Sequence, residues 1–411
     1  MNFLNEVAAN FPKAISFASG RPADAFFDLE GWLRKVPDFL RYFSEKNSVC
    51  PDTASNILPQ YGRTNGIISD LISHQVANDE GIDCQAGQIV ITAGCQEAIS
   101  LCVTALCSHE NDVVLARSPT YIGITGVCDL NGIEISPFNY EETGDILHTL
   151  RAATTALHLR GKRPRVLYLV PDFDNPTGGV LSRAERESII AFCAEKEIAI
   201  LEDNPYGLFR YEGSHLPRMH SLDTRGCVIY LGTYSKTICP SLRVGFVVVP
   251  KHLFGNPKRS SALIDELSKA KSFVTVNTSQ ISQAIVGGIL LSENGTLSNV
   301  VAPVIEFYRR NRDTMLKCLE ECFHADDGLV TWNKPAGGFF LTVSLPFKFR
   351  QEEAEICARD YDVLVMPLSF FALDNTQDYH VRMAFSNVQP GDIAEGISRF
   401  AGFVKSRCST I

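Results

Sequence analysis

A lysine flanked by hydroxyl side chains offers the first chemistry in this sequence. Thr233-Tyr234-Ser235-Lys236 is followed seven residues later by Arg243. A lysine amine can form a Schiff base with an aldehyde when its pKa is lowered or a charged partner is near. The two hydroxyls and the guanidinium suit a phosphate ester. Considered alone, Lys236 would more simply be a solvated surface lysine.

A tight turn carries the second candidate. Residues 172–179 read DFDNPTGG and directly follow the predicted strand 166–170, and the Asn-Pro-Thr-Gly stretch is a turn by composition. The carboxyl end of a parallel strand faces the ligand crevice of an open sheet, so Asn175 could donate a hydrogen bond to a ring hydroxyl there. A turn with a purely structural role would give the same sequence.

A carboxylate at the end of the next strand is the third candidate. Residues 202–207 read EDNPYG and directly follow the predicted strand 198–201. Asp203 could pair with a protonated pyridine nitrogen, which keeps such a ring effective as an electron sink. Tyr206 could donate to the phenolic oxygen of the same ring. A turn carboxylate and a packing tyrosine are the plainer alternatives.

An anion site is predicted where residues 92–98 (TAGCQEA) join the predicted strand 89–92 to an amphipathic helix. The first backbone N–H groups of a helix, here those near Gly94, Cys95 and Gln96, bind anions such as phosphate. A plain strand-to-helix turn would have the same sequence features.

Arg382 is the fifth candidate, in the strand-like segment 379–385 (YHVRMAF). Strand alternation places its side chain on the face opposite Val381, Met383 and Phe385. A guanidinium binds a carboxylate through two parallel hydrogen bonds, so Arg382 could hold an acidic substrate. An edge-strand arginine that faces solvent is the alternative.

The elements that would position these residues alternate between strands and helices. Apolar positions at 99, 102, 103 and 106 predict a helix, and Ser182 with Glu185 predicts the capping box that opens another. Alternation of this kind predicts an α/β domain with a mostly parallel sheet. The predicted strands, all short and rich in β-branched residues, are residues 89–92, 113–116, 166–170, 198–201, 228–231 and 244–249.

The pattern of predicted helices and strands changes after about residue 290. The helical stretch 301–321 and the short strands at 338–343 and 380–385 predict a smaller α+β domain. The predicted division is an N-terminal arm with part of the small domain at 1–50, a large domain at 51–290 and a C-terminal small domain at 291–411.

Four of the five candidates follow strands of one sheet, and a doubly wound sheet brings such strand ends to a single crevice. Together the candidates supply an amine, a phosphate cradle, a partner for a pyridinium nitrogen and a donor to a ring hydroxyl. These are the groups that pyridoxal 5'-phosphate (PLP) requires. The sequence therefore predicts a PLP enzyme in which Lys236 holds the cofactor.

Composition limits the remaining possibilities. A chain of 411 residues, 45% of them hydrophobic, is long enough for more than one domain. A net charge of −9 with dispersed Lys and Arg argues against a nucleic-acid or membrane partner. The 13 cysteines are scattered without metal-ligand spacing, and residues 1–10 do not read as a signal peptide. We therefore expect reduced thiols, no metal site and a cytoplasmic protein.

The order of the motifs resembles the fold-type I PLP-dependent aminotransferases of class I and II, from about residue 15 onward. Within that family the chain is most similar to the α-aminoadipate and kynurenine aminotransferases. Residues 1–6 and 17–22 are more weakly similar to aminotransferases that make arylglycines for natural products. The motifs that carry the family resemblance are Leu58-Pro-Gln-Tyr-Gly62, Thr92-Ala-Gly-Cys-Gln96, Ser118-Pro-Thr-Tyr121, Asn175-Pro-Thr-Gly178, Asp203-Asn-Pro-Tyr206, Ser235-Lys236 with Arg243, Pro335-Ala-Gly-Gly338 and Arg382.

The resemblance implies a role for each matching residue. Lys236 would form the Schiff base and shuttle the proton, Asp203 would pair with the pyridine nitrogen and Tyr121 would stack on the ring. Arg382 would hold the α-carboxylate of the substrate. Tyr61 would reach the phosphate of the neighbouring subunit, which implies a homodimer with shared active sites. The other implied cofactor-binding residues are Gly94, Cys95, Gln96, Asn175, Tyr206, Thr233, Ser235 and Arg243, and the other substrate-binding residues are Asn175, Gly20 and Arg21.

Three departures from the family pattern bear on the site. Cys95 stands where serine is common, so its phosphate contact should rest on the backbone N–H. Asp174 precedes Asn175 where glutamine is frequent, which adds negative charge near the cofactor. Arg21, at the expected mouth of the cleft, could bind an acidic substrate side chain, gate the entrance or form a structural salt bridge.

The implied activity is transfer of an amino group between an L-amino acid and a 2-oxo acid in two half-reactions, in specialised amino-acid or natural-product metabolism. The same residues would serve elimination or replacement at Cβ or Cγ, decarboxylation or oxidation, and these remain the alternative. A transcription regulator with an aminotransferase-like domain is disfavoured by the acidic charge and by enzyme-like sequence that begins almost at Met1. Phenylalanines at 26, 27, 339 and 340 either line an aromatic pocket or belong to the core.

Overall fold

The structure, a computed structural model, describes residues 10–139, 144–324, 328–374 and 376–408. Residues 1–6, part of the similarity to the arylglycine enzymes, lie outside these ranges. Within them the strands are β1 (Ile15–Ser16), β2 (Ile89–Thr92), β3 (Asp112–Arg117), β4 (Glu134–Phe138), β5 (Arg163–Leu169), β6 (Ala199–Asp203), β7 (Val228–Thr233), β8 (Gly245–Val248), β9 (Thr331–Trp332), β10 (Phe340–Ser344), β11 (Val363–Leu364), β12 (Met366–Pro367) and β13 (His380–Ala384).

The helices of the described residues surround these strands. None of them is long and apolar enough to span a membrane. They are α1 (Leu29–Leu33), α2 (Val36–Asn47), α3 (Pro51–Ile57), α4 (Ser69–Glu80), α5 (Cys95–Leu106), α6 (Ile122–Leu130), α7 (Ile146–Leu159), α8 (Arg183–Lys196), α9 (Met219–Leu222), α10 (Pro257–Val274), α11 (Gln280–Ser292), α12 (Ser298–Phe323), α13 (Gln351–Asp360) and α14 (Pro390–Cys408).

A seven-stranded sheet with the order β2-β8-β7-β6-β5-β3-β4 is the largest sheet of the described residues. Its strands are parallel except β8, which runs antiparallel to both β2 and β7. All six predicted strands are present, and the prediction of a mostly parallel α/β sheet is confirmed. The edge strand β4 is absent from the prediction because its sequence EISPF contains a proline and lacks a continuous apolar run.

Burial explains why these segments form strands. Every residue of β2, β3, β6 and β8 is buried, as expected for a sheet covered by helices on both faces. Helix α5 buries its predicted apolar positions Ile99, Cys102 and Val103, and α8 begins with the predicted capping box of Ser182 and Glu185. The carboxyl ends of β5, β6 and β7 therefore lie together at one edge of the sheet, where doubly wound sheets bind ligands.

The chain after α11 forms a smaller unit. Its antiparallel sheet has the order β12-β13-β10-β9, and α12 and α14 pack against each other. Helix α12 covers the predicted helical stretch 301–321 and extends it at both ends. Strand β13 lies between β12 and β10, with Arg382 opposite Thr342 of β10. Arg382 is thus held in the middle of a sheet rather than at its edge.

Residues 10–50 contact both units. Strand β1 pairs in parallel with β11, and a Cβ at Gly396 of α14 would lie 2.6 Å from the ring of Phe17. Helix α2 packs on α11 instead, where a Cβ at Gly287 would lie 2.6 Å from the ring of Phe39. The domain boundaries near residues 50 and 290 remain a prediction.

Candidate active site

A cavity of about 520 Å³ opens between the carboxyl edge of the large sheet and the smaller unit. It brings together most of the residues that the sequence predicts for the site, although they are spread over more than 350 positions of the chain. The predicted site residues in its walls are Gly20, Arg21, Cys95, Gln96, Tyr121, Asn175, Asp203, Tyr206, Thr233, Ser235, Lys236, Arg243 and Arg382.

Two predicted site residues do not line this cavity. Gly94 is the N-cap of α5 and has a φ of +82°, in the left-handed region that favours glycine. A Cβ on Gly94 would lie 2.3 Å from Nη2 of Arg243, so a larger residue would displace the guanidinium from the start of the helix. Tyr61 is 80% exposed on the surface of the chain.

Lys236 extends into the cavity from the segment after β7, and its Nζ donates a hydrogen bond to the carbonyl of Gly20 across 3.2 Å. Burial, together with the charges of Arg382 and Arg243, lowers the pKa of Lys236 to about 8. A sizeable fraction of the amine is therefore neutral near physiological pH, as attack on an aldehyde requires. The alternative of a solvated surface lysine does not hold.

The carboxylate of Asp203 accepts two hydrogen bonds at the end of β6. Tyr168, on the neighbouring strand β5, donates to Oδ2 across 2.6 Å, and the thiol of Cys95 donates to Oδ1 across 3.2 Å. Burial raises the pKa of Asp203 to about 6, although both hydrogen bonds and the charge of Lys236 oppose the rise. Asp203 is therefore mainly an anion at neutral pH and can accept from a ring N–H.

Hydroxyl groups and a guanidinium gather at the N-terminus of α5. Arg243 donates from Nη2 to the carbonyl of Ala93 (3.2 Å) and from Nη1 to Oγ of Ser235 (3.4 Å). The N–H of Ser235 donates to Oγ1 of Thr233 across 3.1 Å. Together with the first backbone N–H groups of α5, these side chains form a site suited to a phosphate group.

Tyr121 and Tyr206 supply aromatic walls. The hydroxyl of Tyr121 donates to Oε1 of Gln96 (3.2 Å), whose Nε2 donates to the carbonyl of Gly123 (2.9 Å). Burial raises the pKa of Tyr121 to about 12, so the phenol stays protonated. The ring of Tyr206 meets that of Phe340 edge to face, with centroids 5.7 Å apart. Both rings are thus fixed in the cavity wall.

Arg382 is 4% exposed and held from several sides. Its Nη1 donates to Oδ1 of Asn175 across 2.8 Å, and its Nη2 donates to the carbonyl of Ala18. The guanidinium lies between the rings of Phe340 and Phe371, 4.3 and 4.6 Å from their centroids. Its Nε is buried with no hydrogen-bond partner among the described residues, and burial lowers the pKa of Arg382 to about 10. Arg382 is thus a buried cation, and the solvent-facing alternative does not hold.

Asp174 and Arg21 are the two charged residues that depart from the family pattern, and they lie in different surroundings. Asp174 is buried outside the cavity wall, where its Oδ2 accepts from Oγ1 of Thr177 (2.9 Å) and lies 4.0 Å from Nη1 of Arg117. Burial is the main cause that raises the pKa of Asp203, and the negative charge of Asp174 adds to this rise. Arg21 is an exposed residue of the cavity rim, and no carboxylate of the described residues forms an ion pair with it. Arg21 therefore forms no structural salt bridge with any residue that the structure describes.

Among the cavity residues that the sequence motifs do not predict, Tyr168 and Phe371 contact charged groups of the site, Asp203 and Arg382. Tyr168 lies in the apolar run 166–170, two residues before Val170, which lines the same cavity. Strand alternation places both on one face, so the hydroxyl in an otherwise apolar run was the available signal. Phe371 lies in a short turn of helix, and no motif marks it. Among the four candidate pocket phenylalanines, Phe340 lines the cavity.

The residues of this cavity fit the cofactor that the sequence implies. The start of α5, with the glycine that leaves room for Arg243, suits a phosphate. The buried carboxylate of Asp203 suits a protonated ring nitrogen, and the amine of Lys236, with its lowered pKa, suits an aldehyde.

Comparison with known proteins identifies the same family as the sequence motifs do. Residues 53–400 match the family model "Aminotransferase class I and II". The chain is 38% identical to (S)-3,5-dihydroxyphenylglycine transaminase of Amycolatopsis orientalis over 99% of this chain and 91% of that protein. It is 30% identical to aromatic-amino-acid aminotransferase 1 of Thermococcus litoralis over 95% and 88% of the two chains. It superposes on a multiple substrate aminotransferase from Thermococcus profundus with a TM-score of 0.84 and 26% identity, over 100% and 95% of the chains.

The family match covers most of the chain, and the three similar proteins named above are transaminases or aminotransferases by name. The predicted family and reaction type are confirmed, and nothing favours elimination, replacement or oxidation. The chain therefore belongs to the class I and II aminotransferases, and it is a PLP-dependent enzyme that transfers amino groups between amino acids and 2-oxo acids.

Proposed function

We propose that this aminotransferase acts on an L-amino acid with an aryl side chain, in specialised amino-acid metabolism. The observation that carries the proposal is the guanidinium of Arg382, held between the rings of Phe340 and Phe371. A substrate whose α-carboxylate binds Arg382 brings its side chain close to these rings. Ile122 and Tyr121 line the same cavity, so an aromatic side chain would find apolar and aromatic partners there.

Small polar side chains in the cavity suit a hydroxylated ring. Ser16, Ser19 and Asn387 line it together with Phe371. Hydroxyl and amide groups can donate to or accept from a phenol, so they would satisfy ring hydroxyls inside the cavity. The similarity to a dihydroxyphenylglycine transaminase and to an aromatic-amino-acid aminotransferase supports the same class of substrate.

The chain's own residues would orient the substrate and move the proton. When bound, PLP supplies an electron sink for Cα of the amino acid. Lys236 takes the Cα proton onto Nζ and later returns a proton, and a pKa of about 8 suits both directions. Asp203 would accept a hydrogen bond from the protonated ring nitrogen. Arg382 and Asn175 orient the α-carboxylate.

The remaining predicted residues would hold the cofactor in place. Tyr121 would pack against the ring, and Tyr206 and Asn175 would donate to its phenolic oxygen. The thiol of Cys95 bonds Asp203, which leaves the backbone N–H of Cys95 for the phosphate. The phosphate would bind among Gly94, Cys95, Gln96, Thr233, Ser235 and Arg243.

Arg21 suits the second acid of a dicarboxylic partner substrate. It is exposed at the rim, has no ion pair within the described residues and adds positive charge near Lys236. A charged guanidinium at this place can bind a side-chain carboxylate as that substrate enters. We therefore assign 2-oxo-dicarboxylic acids, rather than neutral ones, as the preferred amino acceptors.

We further propose a cytoplasmic homodimer. Exposed apolar side chains occur at Tyr61 (80%), Phe273 (83%) and Val274 (69%), and a second copy of the chain would cover them. In that assembly Tyr61 would reach the phosphate of the partner's cofactor. All 13 cysteines are unpaired thiols, which suits a reducing compartment.

The test of the substrate class compares amino donors on the purified holoenzyme. With 2-oxoglutarate as acceptor, kcat/KM for phenylglycine, 4-hydroxyphenylglycine and phenylalanine should exceed that for alanine by at least roughly tenfold, as expected when a ring is buried. Phe371→Ala should lower this ratio. Phe27→Ala is the control, because Phe27 is 36% exposed and does not line the cavity. Equal values for alanine and the aryl donors would contradict the proposal.

A further inference from the structure

The peptide groups on both sides of Ala93, in the turn before α5, are held by charged side chains. The N–H of Ala93 donates to Oε2 of Glu97, one turn into the helix. Its carbonyl accepts from Nη2 of Arg243 across 3.2 Å. Ala93 directly precedes Gly94, the N-cap of the proposed phosphate site. The shape of that site therefore depends on Glu97 as well as on Arg243.

Glu97 is itself fixed by α10 and the residue that follows this helix. Lys271 donates from Nζ to Oε2 of Glu97 across 2.8 Å, and Thr275 donates from Oγ1 to Oε1 across 2.6 Å. Lys271 also donates to Oγ1 of Thr275 (2.9 Å). The side chain of Lys271 is fully buried and that of Glu97 is 8% exposed. Burial lowers the pKa of Lys271, and the carboxylate of Glu97 opposes that change.

The ion pair between Lys271 and Glu97 lies close to the start of α5, where a phosphate would bind. Glu97 places a negative charge in the first turn of the helix whose N-terminus must accept an anionic phosphate. Left without a counter-ion in a buried setting, that charge would repel the phosphate. Lys271 compensates the charge while Glu97 still accepts the N–H of Ala93. Stability alone explains the pair poorly, because apolar residues of similar size generally stabilise a core at least as well.

We propose that Lys271 is a positioning residue for cofactor binding. It compensates the charge of Glu97, so that this carboxylate fixes the turn at Ala93 and Gly94 without weakening phosphate binding. Lys271 acts through Glu97 and needs no contact with PLP. The proposal rests on the phosphate site proposed at the N-terminus of α5.

The test is the dissociation constant of PLP from the apoprotein, measured by equilibrium dialysis and therefore independent of turnover. Lys271→Met should raise this constant at least roughly tenfold, because it leaves Glu97 as an uncompensated buried charge. Adding Glu97→Gln removes that charge and keeps an acceptor for the N–H of Ala93. The double variant should therefore return to within about threefold of the wild type, the coupling expected of residues in one network.

Lys269→Met is the matched control. Lys269 lies on the same helix, but its side chain is exposed and pairs with the exposed Glu266, so PLP binding should not change. The proposal is overturned if Lys271→Met binds PLP as tightly as the wild type, or if the double variant stays as weak as Lys271→Met. A wild-type apoprotein that binds no PLP would instead overturn the proposed phosphate site.

Amide hydrogen exchange on the wild-type apoprotein gives a second reading that does not depend on the folding of any variant. The amide of Ala93 should exchange slowly, because its proton is bonded to the buried carboxylate of Glu97. Exchange as fast as that of an exposed loop amide would show that Glu97 does not hold the turn.

Discussion

The hydroxyl of Tyr168 donates a 2.6 Å hydrogen bond to Oδ2 of Asp203, from one parallel strand to the next. Burial raises the pKa of Tyr168 well above its usual value, so the phenol remains a donor over the working pH range. The bond favours the charged form of Asp203, and so it opposes the effect of burial on that pKa. Tyr168 thereby helps to keep an anion available for the ring nitrogen.

Replacing Tyr168 with Phe removes this donor, so the pKa of Asp203 should rise further above about 6. A higher pKa means that the carboxylate is protonated at higher pH. The acid limb of the kcat/KM profile should therefore move to higher pH by roughly one unit. Tyr230→Phe is the control, because Tyr230 is equally buried on β7 but bonds Asn204. An acid limb that stays in place in Tyr168→Phe would contradict this role.

The lowered pKa of Lys236 should set the pH dependence of cofactor capture. Since only the neutral amine attacks an aldehyde, the rate of PLP capture by the apoprotein should rise roughly tenfold per pH unit and level off above the pKa of about 8. Arg382→Met removes a charge that lowers this pKa, so the plateau should begin at higher pH. Stopped-flow absorbance measures both rates. A capture rate that keeps rising roughly tenfold per pH unit well above about 8 would refute the shift.

Arg382→Lys should separate substrate binding from cofactor binding. A lysine offers a point charge in place of the planar guanidinium between Phe340 and Phe371, and it cannot bind a carboxylate bidentately. We expect KM for the amino acid to rise by roughly 30-fold or more, with the affinity for PLP unchanged. Arg350→Lys, an exposed arginine that pairs with Asp378, is the control. An unchanged KM in Arg382→Lys would place the α-carboxylate elsewhere.

The exposed position of Tyr61 leads to a subunit-mixing experiment. In the proposed dimer, Tyr61→Phe weakens PLP binding in the partner's site, and Lys236→Ala abolishes catalysis in its own. A heterodimer of these two variants contains one site in which both residues are intact. Mixing the variants at limiting PLP should therefore give more activity than the sum of the separate samples. Strict additivity after subunit exchange would show that sites are not shared.

The strands of the large sheet could be predicted because burial on both faces leaves an uninterrupted apolar run. Strand β4 gave no such signal, since it lies at the edge and is only partly buried. Strand β8 matched the apolar pattern, but its antiparallel direction was not visible, because direction depends on the path of the chain between strands.

The site residues that follow strand ends were predictable because topology alone brings them to one crevice. Tyr168 and Lys271 act through partners distant in the chain, at separations of 35 positions for Tyr168 and Asp203 and 174 for Lys271 and Glu97. The sequence gives no local signal that pairs Lys271 with Glu97, and for Tyr168 it offers only a hydroxyl within an apolar run, with no indication of its partner. The role of Phe371 could not be predicted from the sequence either, because only the fold places its ring against Arg382.

The absorbance of the purified enzyme tests most directly the central claim that Lys236 holds PLP for amino transfer. Wild-type protein with PLP should show a visible band that an aryl amino acid bleaches and a 2-oxo acid restores. Lys236→Ala should lack this cycle at any pH. A Lys236→Ala variant that cycles at the wild-type rate, or a wild-type protein that forms no visible band with excess PLP, would contradict the claim.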